Sequence, residues 1–279
     1  MNYRHAYHAG NFADVVKHAL LTLVLAHLKK KDAAFSVVDT HAGIGCYDLD
    51  SVEAGKTLEY KDGIGRLLEA GAASPLLADY LDAVRAENPD WPVLRRYPGS
   101  PRISRHLLRP QDRLSLVELH PQDVQTLRRE FARDPQVGVH EQDAYIALKA
   151  LLPPKERRGL VLIDPPFEVK DEFRRIVKGL GEAFRRWPTG IYGVWYPIKE
   201  REPVERFLAE LAGFGAPCLT AELFRFPPED DPTRLNGTGL VVLNPPWKLD
   251  EALGELLPIL QSALGGTGPC GVRWIKTEA

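Results

Sequence analysis

The chain has 279 residues, 44% hydrophobic and 27% charged, with a net charge of −2. Those proportions exclude a disordered or fibrous polymer, and the near-zero charge excludes attraction of the whole molecule to polyanions. Three widely spaced cysteines, Cys46, Cys218 and Cys270, exclude a disulfide framework or zinc cluster and fit a reducing cytoplasm.

The opening stretch "MNYRHAYHAGNF" lacks the apolar core of a secretory signal. A helical pattern follows from about Phe12 to Lys31. Its run "ALLTLVLAHL" is too short to cross a bilayer, so a buried helix and a cytoplasmic protein are expected. The first strand, "FSVVD" (35–39), runs into "DTHAGIGCYD", where Gly43 and Gly45 permit a tight turn and close approach of a ligand. A dinucleotide fingerprint would want another glycine at Asp48, so the loop suits a nucleoside without phosphates, such as S-adenosylmethionine.

About 75 residues then separate strand one from strand two, far more than a βαβ unit needs. Residues 51–105 read as an inserted helical subdomain, leaving 1–50 and 106–279 as the main domain. Six arginines between Arg95 and Arg113 face one acid, Asp112; they suit either phosphate binding or a solvated helix face.

Six more strands follow: "LSLVE" (114–118), "VGVHE" (137–141), "LVLID" (160–164), "GIYGVWY" (190–196), "AELFRF" (221–226) and "GLVVLN" (239–244). Amphipathic helices alternate with most of them, which predicts a doubly wound, mostly parallel sheet. Only "PPEDDPTRLNGT" joins the last two, so they should form an antiparallel hairpin. The expected fold is α/β: a Rossmann-like, S-adenosylmethionine-dependent methyltransferase fold, seven-stranded with an antiparallel last strand.

In open α/β sheets, ligands bind beyond the carboxyl ends of the parallel strands. Glu118 ends strand two and suits ribose hydroxyls. Asp143 follows strand three; it suits an adenine amine and equally an N-cap for a helix starting at Ala144. Strand four ends in Asp164-Pro165-Pro166-Phe167. An aromatic exocyclic amine is a poor nucleophile because its lone pair is delocalised. The Asp164 carboxylate and the Pro165 carbonyl, accepting its two N–H bonds, would push that lone pair toward a methyl sulfonium. Phe167 would stack on the extruded base. Asp164 needs no great basicity, because the proton leaves after methylation has made the nitrogen acidic. The look-alike "NPPW" (244–247) ends a reversed strand and should be a structural turn at the far edge, with Trp247 packed.

Together, "YRHAYHAGNFADVVKH", "DTHAG", "YPGSP", "ELHP", "GLVLIDPPF", "TGIYGVWYP" and "NPPWKL" resemble the bacterial 23S rRNA (adenine-2030-N6)-methyltransferase family, nearly end to end and in order. The resemblance implies S-adenosylmethionine as donor and one adenine of 23S rRNA as acceptor. It implies that Asp164 is the catalytic acid, that His18, His41, Ser100, Glu118, Asp143 and Ala144 contact the cofactor, and that Tyr3 meets the RNA. Lys17, Arg4 and the arginines around Ser100 become candidates for backbone contact. Phe167 departs from the family's usual tyrosine. No metal is expected, since His5 and His8 have no carboxylate or cysteine companions at ligand spacing. A monomer acting on protein-free or early-assembly rRNA is expected. The competing readings are DNA adenine or protein glutamine methylation, and a non-catalytic RNA-binding module on the same fold.

Overall fold

The computed structural model describes residues 4–228 and 231–277, so the expectation for Tyr3 lies outside the described residues. The chain enters through α1 (Phe12–Lys29), whose first turn is capped by Asn11 Oδ1 accepting from Asp14 N at 3.0 Å. Thirteen of its eighteen residues are buried, which marks a helix enclosed on nearly all sides rather than a surface helix. Strand β1 (Ser36–Asp39) follows, buried along its length.

Residues 46–107 hold a two-stranded antiparallel ribbon, β2 (Cys46–Asp48) and β3 (Arg96–Pro98), around the short helices α2 (Val52–Thr57), α3 (Arg66–Glu69) and α4 (Ala78–Ala86). α5 (Ser100–Leu107) leads back to the sheet. Ile64, Leu67, Leu77 and Tyr80 join Leu20, Leu21 and Val24 of α1 in one apolar cluster.

The rest alternates as expected. β4 (Arg113–Glu118), α6 (Pro121–Glu130), β5 (Val137–Glu141), α7 (Ala144–Leu151), β6 (Gly159–Ile163) and α8 (Glu172–Arg186) come first. Then come β7 (Ile191–Ile198), α9 (Arg201–Ala212), β8 (Cys218–Phe224), β9 (Gly237–Leu243), α10 (Leu249–Ala263) and β10 (Cys270–Lys276). The sheet order is β10-β8-β9-β7-β6-β1-β4-β5. β5, β4, β1, β6 and β7 are parallel neighbours, while β9 runs antiparallel between β7 and β8.

All seven expected strands are therefore present with the last reversed, and β8 and β9 form the expected hairpin. The sequence reading missed an eighth, β10, which adds antiparallel to the edge strand β8. Among the described residues, no helix is long and apolar enough to cross a membrane.

Candidate active site

The carboxyl ends of β1, β4 and β6, with the turn after β5, open into one cavity of about 1010 Å³. His18, His41, Gly43, Ser100, Glu118, Asp143, Ala144, Asp164, Pro165 and Phe167 all line it, so the sequence-predicted residues among the described ones meet at a single place.

Glu118 organises its floor. Its Oε2 accepts Gly43 N at 2.8 Å and its Oε1 accepts His120 N at 2.7 Å, tying the loop after β1 to the one after β4. Gly43 has φ +60°, and a Cβ there would press on Tyr47 Oη, so the position favours glycine. Burial pushes the Glu118 carboxyl up, opposed by these backbone amides.

Asp143 caps α7: its Oδ1 accepts Tyr145 N at 3.0 Å and Ile146 N at 3.1 Å, while its Oδ2 lies 3.5 Å from Arg175. Capping does not exhaust it, because Oδ2 keeps lone pairs toward the cavity that Asp143 lines.

Of the histidines that line the cavity, His18 and His41 are held neutral by burial, His18 well below the usual imidazole range and His41 at about 4. His18 Nδ1 meets Tyr97 Oη at 2.7 Å, and Tyr97 Oη meets Tyr80 Oη at 3.1 Å. The 46–107 segment thereby reaches the cavity through a hydroxyl relay. His41 Nδ1 lies 2.8 Å from Thr40 Oγ1. Asp39, at the end of β1, is fully buried and pushed up to about 6 by that burial.

At the end of β6, Asp164 is ion-paired with Lys17 Nζ. Lys17 also bonds Asp14 Oδ1 at 2.7 Å, and Asp14 Oδ2 accepts Gly10 N and meets His5 Nε2, each at 2.9 Å. The expectation that Lys17 contacts an RNA backbone is thereby corrected. It is 4% exposed, and both its neighbours are carboxylates of the protein itself. Its signal in the sequence was an Asp and a Lys three apart in an otherwise apolar helix.

Phe167 sits at φ +51°, left-handed territory that a bulky side chain enters only when its surroundings hold it there. Those surroundings are Phe173 and Trp195, packed edge-on at centroid distances of 5.0 and 5.7 Å. The Trp195 indole N–H is fixed by donating to Thr238 Oγ1 at 2.7 Å. A carboxylate, a proline carbonyl and a held aromatic wall thus meet at the mouth of the cavity.

Residues 32–276 match the family described as ribosomal RNA large subunit methyltransferase D, RlmJ. The chain belongs to this family. It is 43% identical over 280 residues to "Ribosomal RNA large subunit methyltransferase J" of Escherichia coli K12, with both chains covered completely. It is equally similar, over the same full lengths, to the Haemophilus influenzae protein of that name. A crystal structure of a Legionella pneumophila protein superposes with TM-score 0.89 at 35% identity, covering 96% of this chain and 98% of that one. A probable spermidine synthase from Corynebacterium glutamicum shares the fold alone. It is 14% identical, with TM-score 0.50 over 92% of this chain and 74% of its own. The chain is therefore an enzyme of the α/β methyltransferase fold.

Two further readings are corrected in this family member. Trp247 is not packed: it is 78% exposed. The turn it follows is structural, as expected. Asn244, at φ +51°, donates from Nδ2 to the carbonyls of Pro188 and Gly190, both at 2.8 Å, beside the amino end of β7 and away from the cavity. Asn244→Ala is expected to cost about 2–3 kcal/mol of stability, read by denaturant unfolding, with methyl transfer per folded molecule unchanged. A change in turnover at unchanged stability would refute the assignment.

The arginines of 95–113 are also not a free basic patch. Arg95 faces Asp50 and Asp90; Arg96 and Arg102 face Glu87; Arg102 also bonds Glu130 at 2.8 Å; Arg105 pairs with Asp134, and Arg109 with Asp112. Arg4 is likewise engaged, 3.2 Å from Asp123 on α6.

Proposed function

We propose that the enzyme transfers a methyl group from S-adenosylmethionine to the exocyclic N6 of one adenine in 23S rRNA, of the adenine-2030 type. The observation that carries this reading is the placement of Asp164 and Pro165 at the exit of β6, beside the Phe167–Trp195 wall. The same cavity holds the strand-end acids Glu118 and Asp143.

The residues present fit the cofactor. Each Glu118 oxygen already accepts one amide and retains a second acceptor site, which suits the two hydroxyls of a ribose. Asp143 Oδ2 suits an adenine amine, and the N–H of Ala144, first in α7, has no partner within the helix. His18, His41 and Ser100 line the other wall, and the cavity volume admits a nucleoside together with a flipped base. When bound, S-adenosylmethionine supplies an electrophilic methyl group on a positively charged sulfur.

The protein's part is to make a weak nucleophile attack and to receive the proton. Phe167 and Trp195 offer faces and edges for an extruded adenine. The Asp164 carboxylate and the Pro165 carbonyl accept the two N–H bonds of its amine, so the nitrogen lone pair turns out of the ring's conjugation. Transfer would form the N–C bond as the S–C bond breaks, leaving a positively charged, acidic nitrogen. The surplus proton then passes to Asp164. Lys17, already on Asp164, fixes where that carboxylate points.

The test is methyl transfer by the purified enzyme to protein-free 23S rRNA, compared with duplex DNA and glutamine-containing peptides. It is paired with mass spectrometry of rRNA nucleosides from cells with and without the gene. Methylation of the rRNA alone, and loss of one N6-methyladenine from 23S rRNA, are expected. Unchanged rRNA modification would sink the substrate assignment.

A further inference from the structure

Of the six arginines in segment 95–113, Arg113 donates to the carbonyls of Pro110 and Asp112, and the other five spend their charge on the protein's own acids. A second set of cations does not. α8 is strongly amphipathic: Ile176, Leu180 and Ala183 are buried against the sheet side, while Arg174, Lys178 and Arg185 are exposed. Spaced by four and seven residues, these three stay within about 40° of one another around the helix and extend about 16 Å along it. Exposed Lys170 stands just ahead of them, on the rim of the cavity.

Among the described residues, none of these four forms an ion pair. The nearby acids are taken by other cations: Glu182 by Lys149 at 2.7 Å, and Glu172 and Asp143 by Arg175 at 3.4 and 3.5 Å. Asp171 and Glu168 stand at the helix entrance, and Glu182, held by Lys149, also attracts Lys178 and Arg185 electrostatically. On the other face of the sheet, α10 carries Asp250, Glu251 and Glu255 and no cation, so a polyanion meets repulsion there.

We infer that the Lys170–Arg174–Lys178–Arg185 stripe is a phosphate track that holds the rRNA backbone flanking the target base. The inference rests on the proposed function. Its occupant is set by continuity, because Lys170, Glu172, Phe173 and Arg175 line the cavity and the stripe leaves from its mouth. A strand whose base is turned into the Phe167–Trp195 wall must carry its neighbouring phosphates out across that rim. A row of unpaired, exposed cations spaced one to two helical turns apart gives these phosphates sequence-independent contacts, and positioning by phosphates leaves readout to the cavity.

The test is binding of in vitro transcribed 23S rRNA to the full enzyme across about 50–200 mM salt. The variant is the triple change Arg174→Ala, Lys178→Ala, Arg185→Ala. The control is Lys30→Ala, Lys31→Ala, Lys248→Ala, which removes the same charge on the other face of the sheet, at the ends of α1 and α10. The stripe variant is expected to bind about 10²–10³-fold more weakly at 50 mM salt, with the slope of log affinity against log salt shallower by about two to three, so that the deficit narrows toward 200 mM. Its affinity for S-adenosylmethionine should be retained, and the control should keep the parent slope. An unchanged slope in the stripe variant, or an equal loss in the control, overturns the track. Failure of the parent enzyme to methylate 23S rRNA would count against the proposed function instead, because the salt slope is read without turnover.

Discussion

Asp164→Asn is expected to lower kcat by about two to four orders of magnitude while S-adenosylmethionine still binds. Asparagine keeps the size of the side chain but swaps one acceptor oxygen for an NH2 donor. In this site that donor must face either the Lys17 ammonium or the incoming amine, both of which donate as well. The amine then keeps its lone pair in the ring, and no carboxylate stands ready for the proton. Single-turnover kinetics with 23S rRNA, alongside calorimetry of cofactor binding, separate the two effects. Turnover within threefold of the parent would mean that methyl transfer does not run through this carboxylate.

Lys17→Met is the second large change, and it should be felt in stability as well as rate. Burial alone would push the Asp14 carboxyl up, but the charges of His5 and Lys17 hold it well below the usual carboxylate range. The Lys17 ammonium is opposed by burial and is raised well above its usual range by Asp14 and Asp164. Removing Lys17 strands a charge that is nearly inaccessible to water, at a cost of about 3–5 kcal/mol near neutral pH.

Asp14's contribution is complete above its unfolded value of about 3.9 and is lost as pH falls through its depressed folded value. Lys17's contribution is complete below about 10.4 and is lost only as pH rises through its raised folded value. The gap between parent and variant should therefore be flat from about pH 5 to 9 and narrow in acid. Turnover should drop at least about tenfold as Asp164 loses the partner that aims it. Denaturant curves at several pH values, with kcat on the same preparations, check both. A variant as stable as the parent at pH 7 would contradict the buried-pair account.

The sheet and its acids were legible because strand ends carry position: a reader who counts alternating strands and helices knows which ends face the ligand. Glu118, Asp143 and Asp164 follow from that rule. Charge pairing does not, because partners are set by the fold. Arg105 meets Asp134 and Arg102 meets Glu87 and Glu130 from other elements, so six arginines in a row of text looked free. Lys17 was misassigned for the same reason, since Asp164 lies far away in sequence. β10 was missed because "CGVRWIK" is an edge strand with mixed exposure and no continuous apolar run. Trp247 shows a different limit. An aromatic after two prolines has no sequence mark that separates a packed ring from an exposed one.

The antiparallel β9 has a consequence for synthesis. It is not added at the rim but slides between β7 and β8, two strands made before it. While the ribosome is still making the "PPEDDPTRLNGT" connector, the outer edge of β7 has no partner, and Thr238 does not yet exist to receive the Trp195 indole. A nascent chain stopped before residue 237 therefore presents a long apolar strand edge, an invitation to aggregate. The aromatic wall beside Phe167 gains its anchor only when nearly the whole polypeptide has emerged.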